Sequence, residues 1–543
     1  MNRIIYGIIM VFLIAMSCNQ RNQETSKSLI DTVAIAKHIS VLSSDEFQGR
    51  KPFTFGEEKT LDYLMNEFIE MGLEPGNKDS YLQEVPMVEL NAKPDEWMRF
   101  EGNKGKLDLK VSEDFVAYTQ RAEEEVSLEK SEIIFAGFGI VAPEYGWNDY
   151  EGLDVKGKTV LVLVNDPGFG TGNNELFKGE TMTYYGRWTY KFEEAARQGA
   201  AGVLIIHETV PAGYPWLVVR NSWSGATLNL ENTAGLYQCA VQGWITRDAA
   251  IKLFEISDQD MRNFKEMAGS QGFKPIPLGV NASISIQNEI KRDISYNVAA
   301  KITGTKSPEE VIIYSAHWDH LGIGPEVDGD SIYNGAHDNA SGTSLMLEIA
   351  RAFAKSKKPE RTVLFLAVTA EEQGLLGSAY YGQNPIFSPV STVANLNMDG
   401  VAAYGEMKDF TIVGFGQSDM DDLAGKYAQQ QGRYIYPDPN PGKGYFFRSD
   451  HFNFAKIGIP ALYGSGSYEA AVGGIERIKT ETEDYNANRY HRPADEYDAG
   501  KWKFGGIWQD GMVFYQVGNE LANSNSWPLW KQSSEFKSIR NAK

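Results

Sequence analysis

The sequence predicts a mixed α/β fold, a mainly parallel sheet flanked by helices, into which a second, β-rich domain is inserted. Three observations carry this. The apolar runs 311–315 (VIIYS), 362–368 (TVLFLAV) and 393–398 (VANLNM) are short, rich in β-branched or large apolar residues and bounded by polar or glycine residues, as buried parallel strands are. Between the first two lies 341–356, where Leu345, Ile349 and Phe353 recur every four residues, the spacing of an amphipathic helix; strand, helix and strand in that order make a βαβ unit. A chain of 543 residues is also too long for one small core, so two folded units are expected.

Taken in order, the chain opens with Arg3, an apolar stretch over 4–16, then Ser17 and Cys18. The stretch is too short to span a bilayer and has the length of a signal-peptide apolar region. A cysteine after a small residue here resembles the lipobox of bacterial lipoproteins, although Ala15 stands where such motifs place leucine. The expectation is a signal peptide over 1–18, a lipid on Cys18 as the membrane anchor, a polar tether over 19–30 and an exported protein held at the cell envelope. Ordinary cleaved secretion and an uncleaved anchor are the other readings. Cys239 is the other cysteine of the chain. With Cys18 acylated or removed, no intramolecular disulfide can form, so packing and metal must hold the protein together. Cys239 is read as a small buried hydrophobe.

Residues 31–124 form the N-terminal part of the first domain. Over 60–71 the apolar residues Leu61, Leu64, Met65, Phe68, Ile69 and Met71 keep helical spacing, and Gly72 ends it as a C-cap would. The insert is placed at 125–290, from strand signals at 133–141, 159–164, 202–206 and the alternating run 280–286, with a helix over 191–198 closed by Gly199. His207 stands alone there and is read as structural. The first domain resumes over 291–543 with the three buried strands, a further strand at 459–463, a segment bearing His491 and a helix around 507–521. No internal repeat is visible, which sets a solenoid aside.

The balance of 52 basic to 72 acidic residues, net charge -20, argues against nucleic acid as a partner, since phosphate binding needs clustered Lys and Arg. A solvated acidic surface accounts for it, and a preference for cationic substrates is the sharper reading.

His317, Asp338, Glu372, Asp399 and His491 fall where strands should end, with Glu371 beside the third. In open α/β sheets the ligand crevice lies outside the carboxyl ends of the strands. Two histidines and three carboxylates, one of them shareable, are what a pair of zinc ions needs, and catalytic zinc sites leave a position open for water. His320, His337 and His451 lie in the same segment.

The strings SAHWDHLG (315–322), GAHDNASG (335–342), TAEEQGLLGS (369–378), NMDG (397–400), RSDHFNF (448–454) and YHRPADE (490–496) resemble, in order, the motifs of the M28 family of metallopeptidases, the co-catalytic dizinc aminopeptidases. The stretch AGFGIVAPEYGWNDYEGLDVKGKTVLV and the segment GAAGVLIIH resemble a protease-associated domain, a companion of these enzymes. The resemblance implies a zinc aminopeptidase (phosphorylase/hydrolase-like) fold and two Zn2+ ions, with Asp338 bridging both metals, His317 and Asp399 completing one site, and Glu372 and His491 the other. It makes Glu371 the general base. Asp319 would accept the hydrogen bond of the free ring nitrogen of His317, Tyr490 would stabilise the oxyanion, and Asp450 and His451 would support the metals from behind. Arg448 either contacts substrate or joins that supporting network. His320 could compete with His317 as a ligand, and His337 stands where many relatives carry aspartate.

The implied function is hydrolysis of N-terminal residues from peptides, with Glu371 or Asp399 holding the free amine. A carboxypeptidase or dipeptidase, a one-zinc glutaminyl cyclase and a non-catalytic zinc-binding protein are the alternatives. Such ligands also accept manganese or cobalt. Side-chain preference and oligomeric state are not set by the sequence.

Overall fold

The computed structural model describes residues 29–223, 225–232, 235–401 and 403–541. The expected signal peptide, Cys18 and most of the tether lie outside the described residues. Among the described residues no helix is long and apolar enough to cross a membrane. The chain divides into two compact units, one of Met1–Val85, Ser295–Asp438 and Ser449–Lys543, the other of Pro86–Ile294 and Pro439–Arg448.

In the first unit the centre of the sheet is parallel: Arg361–Val368 pairs with Ser307–His317, which pairs with Thr392–Asn397, which pairs with Ala461–Ser465. Every residue of Arg361–Val368 and Thr392–Asn397 is buried, as the near-continuous apolar runs require of strands covered on both faces. Antiparallel partners are added outside this centre. The end of the Ile276–Ile302 strand joins Arg361–Val368 and also Glu74–Pro75, and Asp409–Ile412 joins Ala461–Ser465 before pairing in parallel with Tyr434–Pro437.

The helix Ser341–Lys355 was expected to bury one face. It is instead buried on nearly all sides, because Thr32–Leu42 and Gly505–Ala522 cover what the sheet leaves. Its first turn, Ser341, Gly342, Thr343 and Ser344, is narrow enough for that close packing. The helix expected from residue 60 begins at Phe55 and ends at Glu70. Gly72 follows at φ 75°, a conformation that costs glycine nothing, and Leu73 N–H returns to Phe68 O, as a Schellman cap does.

The second unit starts earlier than the sequence suggests, at Pro86 and not 125. The reason is pairing: Trp97–Gly102 is hydrogen-bonded to Gly105–Lys110 and to the Ile276–Ile302 strand, and Phe115–Tyr118 to Val241–Thr246. It is also less purely β than expected. Glu125–Phe135, Thr159–Leu163, Gly202–His207 and Val241–Thr246 run parallel, with the helices Trp188–Arg197, Arg247–Ile256 and Met261–Ala268 in the same unit. The run 133–141 is not one strand. It stops at Phe135 because the Asp149 carboxylate takes the N–H groups of Phe138 and Ile140, which a continuing ladder would need. Cys239 is fully buried and free.

Candidate metal centre

The Ser307–His317 strand ends on His317, which is 1% exposed. Its Nε2 lies 3.3 Å from Asp338 Oδ1 and 3.3 Å from Asp399 Oδ1. Asp399 comes two residues after the neighbouring parallel strand Thr392–Asn397, so parallel pairing alone brings these two strand ends to one rim. Glu372 follows the third strand, Arg361–Val368. Its Oε2 is 3.0 Å from His491 Nε2, which in turn is 3.3 Å from Asp338 Oδ2. The two oxygens of Asp338 thus face two different imidazoles, His317 and His491.

His320 stands on the Glu372 side of the cluster. It does not compete with His317; its ring is fully buried, and Nδ1 lies 2.6 Å from Glu372 Oε1. The Glu372 half of the cluster therefore has two imidazoles, His320 and His491, edge to face at 5.8 Å. Gly335 makes room for this: at φ 54° a Cβ there would stand 2.5 Å from the His320 ring and 2.3 Å from Asp338 O. Ala370 and His491 also adopt positive φ, 51° and 55°, left-handed conformations that cost a non-glycine residue energy and gather at functional sites.

Asp319 meets His317 through its backbone and not its carboxylate. Its carboxylate is 3.8 Å from His317 Nδ1, beyond hydrogen-bond reach, whereas its backbone carbonyl lies at 3.2 Å. The carboxylate instead accepts the N–H of Glu371 at 3.0 Å, which holds the Glu371–Glu372 pair against the His317 strand end. Behind the centre, the Asp450 carboxylate accepts the hydroxyl of buried Ser378. His451 is buried with its ring 4.8 Å from that of Tyr463, whose hydroxyl lies 3.3 Å from Asp399 O. Tyr490 is 46% exposed and stacks on the His491 ring at 3.9 Å. Arg448 belongs to the second unit, where it is exposed and donates to Lys443 O. His337 donates its N–H to Asp495, and its ring lies 4.7 Å from that of Tyr485.

The charges follow from this crowding. Burial works against a charged His317, but Glu371 and Asp399 hold its pKa well above the usual imidazole range. The same contest, decided by Asp338 and Glu372, lifts His491 to about 10. Asp338, despite burial, is held well below the carboxylate range by its two imidazoles. Glu371 goes the other way: burial, followed by the nearby Asp399 and Glu372 carboxylates acting against His317, pushes it well above the carboxylate range. Burial lifts Asp319 to about 8 and Asp450 to about 7.

The donors suit a cation. His317, Asp338 and Asp399 each offer a ligand atom within 4.8 Å of the others, and His320, Asp338 and Glu372 do the same. Asp319 Oδ2 and His320 Nε2 are buried without a hydrogen-bond partner, a cost that proteins otherwise avoid, and Glu372 Oε1 has only His320 Nδ1 beside it. Mixed imidazole and carboxylate ligands are those of zinc. Two residues near this centre, Arg50 and Asp495, drew no assignment from the sequence. Asp495 lies inside the YHRPADE string, and Arg50 stands in a polar stretch that reads as surface.

Residues 297–515 match the model of peptidase family M28. A probable zinc metalloprotease of Pyricularia oryzae is 33% identical over 166 residues, 29% of this chain and 32% of that protein. The aminopeptidase NAALADL1 of Mus musculus is 32% identical over 137 residues, 24% of this chain and 17% of that protein. The chain spans about a third or less of the length of the curated relatives it matches. Among solved structures, the aminopeptidase from Aneurinibacillus sp. strain AM-1 is 19% identical, covers 92% of this chain and 96% of its own, and superposes with a TM-score of 0.47.

Proposed function

We propose that this chain is a dizinc exopeptidase, an aminopeptidase of M28 type acting on peptides. The single observation that carries the reading is Asp338, whose two oxygens address His317 and His491 separately, as a carboxylate shared by two metals must. His317 and Asp399 would hold one ion, and Glu372 with His491 the other, with His320 a further donor on that side. Two bound zinc ions would polarise the scissile carbonyl and make water a nucleophile at neutral pH.

The remaining work falls to the chain's own groups. Glu371 takes a proton from the attacking water and delivers it to the leaving amine, a task that suits a carboxylate whose proton affinity burial has raised. Tyr490 stacks on His491 with enough exposure to turn its phenol toward a substrate oxygen. The free amine of the peptide is held by the carboxylate of Glu371 or Asp399. The second unit serves as a protease-associated domain. With the N-terminal reading, the protein is exported and held at the cell envelope by a lipid on Cys18, without nucleic-acid partners.

The test is hydrolysis of unblocked, N-acetylated and C-amidated short peptides, with and without chelator. Chelator-sensitive release of N-terminal residues from free-amine and C-amidated peptides alone supports the aminopeptidase. Cleavage that needs a free C-terminus makes it a carboxypeptidase or dipeptidase. No turnover despite bound metal leaves the cyclase and binding-protein readings.

A further inference from the structure

Arg50 is 1% exposed and closes a turn in which Gln48, Gly49 and Arg50 all have positive φ, 47°, 65° and 49°. A Cβ on Gly49 would meet Tyr333 O at 2.4 Å and Gly322 O at 2.8 Å, so the turn is pressed onto the backbone that leads to Asp338. From it the guanidinium donates to carbonyls only. Nε binds Trp318 O at 2.9 Å, Nη1 binds Asn334 O at 2.7 Å and also Leu42 O, and Nη2 binds Gly335 O at 2.9 Å. Among the described residues no carboxylate pairs with it directly. Burial lowers its pKa to about 10, opposed by the field of Asp319, Asp495, Asp338 and Glu372.

Asp495, 2% exposed, approaches the same stretch with the opposite charge. Its carboxylate accepts the N–H of His337 at 3.1 and 3.2 Å and that of Asp338 at 3.1 Å, and its backbone carbonyl accepts the N–H of Ala336 at 2.9 Å. Tyr485 adds its hydroxyl at 3.3 Å. Over 334–338, then, the carbonyls at the start are held by a cation and the N–H groups at the end by an anion. Trp318 is the residue after His317, so the same guanidinium also grips the strand end that delivers that imidazole.

We propose that Arg50 and Asp495 are paired positioning residues, which clamp 334–338 from its two ends and so fix the two oxygens of Asp338 relative to His317. The inference rests on the dizinc reading above. A planar fork with five donors is what lets one side chain reach four carbonyls on three separate segments, and a lysine, with one nitrogen, has no such reach. Groups that orient metal ligands from outside change metal affinity when removed even though they touch no metal.

The experiment is a competition titration of the metal-free full chain with Zn2+ against a chromophoric chelator, beside the absorption spectrum of the Co2+-loaded protein and thermal unfolding, for wild type, Arg50→Met, Arg50→Lys and Asp495→Asn. We expect two equivalents in the wild type. Both Arg50 variants should bind roughly 10–100-fold more weakly with an altered Co2+ spectrum, and Asp495→Asn, which keeps an acceptor oxygen, should bind about 10-fold more weakly. Folded variants that bind both equivalents with wild-type affinity and spectrum overturn the clamp, whatever their melting temperature, and so does full rescue by lysine, which would leave only charge. If Arg50→Met does not fold, Arg50→Lys and Asp495→Asn decide. A wild type that takes fewer than two equivalents overturns the dizinc reading itself, and the clamp with it.

Discussion

Both units of this chain gather clusters of acid, fully buried in the second unit and half-buried in the first, and the two clusters are built oppositely. In the second unit, Asp149 accepts hydrogen bonds from Phe138 N–H, Ile140 N–H and the Trp147 indole, Asp166 accepts from Gly168 N–H and Thr183, and the fully buried Lys191 donates to Tyr185 O with its charge facing both acids. Every one of the four carboxylate oxygens has a donor. In the first unit the short contacts of Asp338, Glu372 and Asp399 run to the imidazoles of His317, His320 and His491, and Asp319 Oδ2 has no hydrogen bond. Asp149 and Asp166 are fully buried while Asp338, Glu371, Glu372 and Asp399 are half-buried, so depth of burial does not mark the site. The ratio of acceptors to donors does, because an acid without donors is stable only if a cation joins it.

Substitution should separate the two clusters most sharply. Glu371→Gln is expected to lower kcat by about 10²–10⁴-fold while leaving the melting temperature unchanged or higher, since it removes a carboxyl that burial disfavours. Steady-state kinetics and thermal unfolding check it; a loss of stability with unaltered turnover would place Glu371 with the structural acids. In the second unit Lys191→Met should do the reverse. It removes the donor to Tyr185 O and the charge that faces Asp149 and Asp166, and should cost about 1–3 kcal/mol in denaturant unfolding, with turnover per folded molecule unchanged.

The smallest effect is in protons. Because Asp338 and Glu372 hold His491 at about 10, its imidazole is charged at neutral pH, and a ligand imidazole must be neutral. Zinc uptake should therefore release protons, and affinity should weaken as pH falls. Calorimetry in buffers of different ionisation enthalpy reads the number released; none released would mean that His491 is not a ligand.

Much of this was legible in the chain. The buried strands were readable because an eight-residue run such as Arg361–Val368 can be satisfied only by cover on both faces, and the metal-capable residues were readable because they end those runs. The start of the second unit was not, because the strands between 97 and 118 carry ordinary alternation and only their pairing with Val241–Thr246 and Ile276–Ile302 assigns them. His320, three residues beyond His317, gave no hint that it would side with Glu372. Arg50 gave less, since its carbonyl partners at Trp318, Asn334 and Gly335 lie 268, 284 and 285 positions away.

By itself, then, the sequence determined the buried parallel strands of the first unit and the helix between them, with the metal-capable side chains that end or follow those strands, because periodicity and burial are written between neighbouring residues. Only the tertiary structure decided which imidazole faces which carboxylate, that the Asp319 carbonyl and not its carboxylate meets His317, and that an arginine near the N-terminus and an aspartate near the C-terminus grip one loop. Those are matters of charge and donor geometry that sequence separation does not record, from two positions for His317 and Asp319 to 285 for Arg50 and Gly335, and they exist only once the fold has set the groups within hydrogen-bond range.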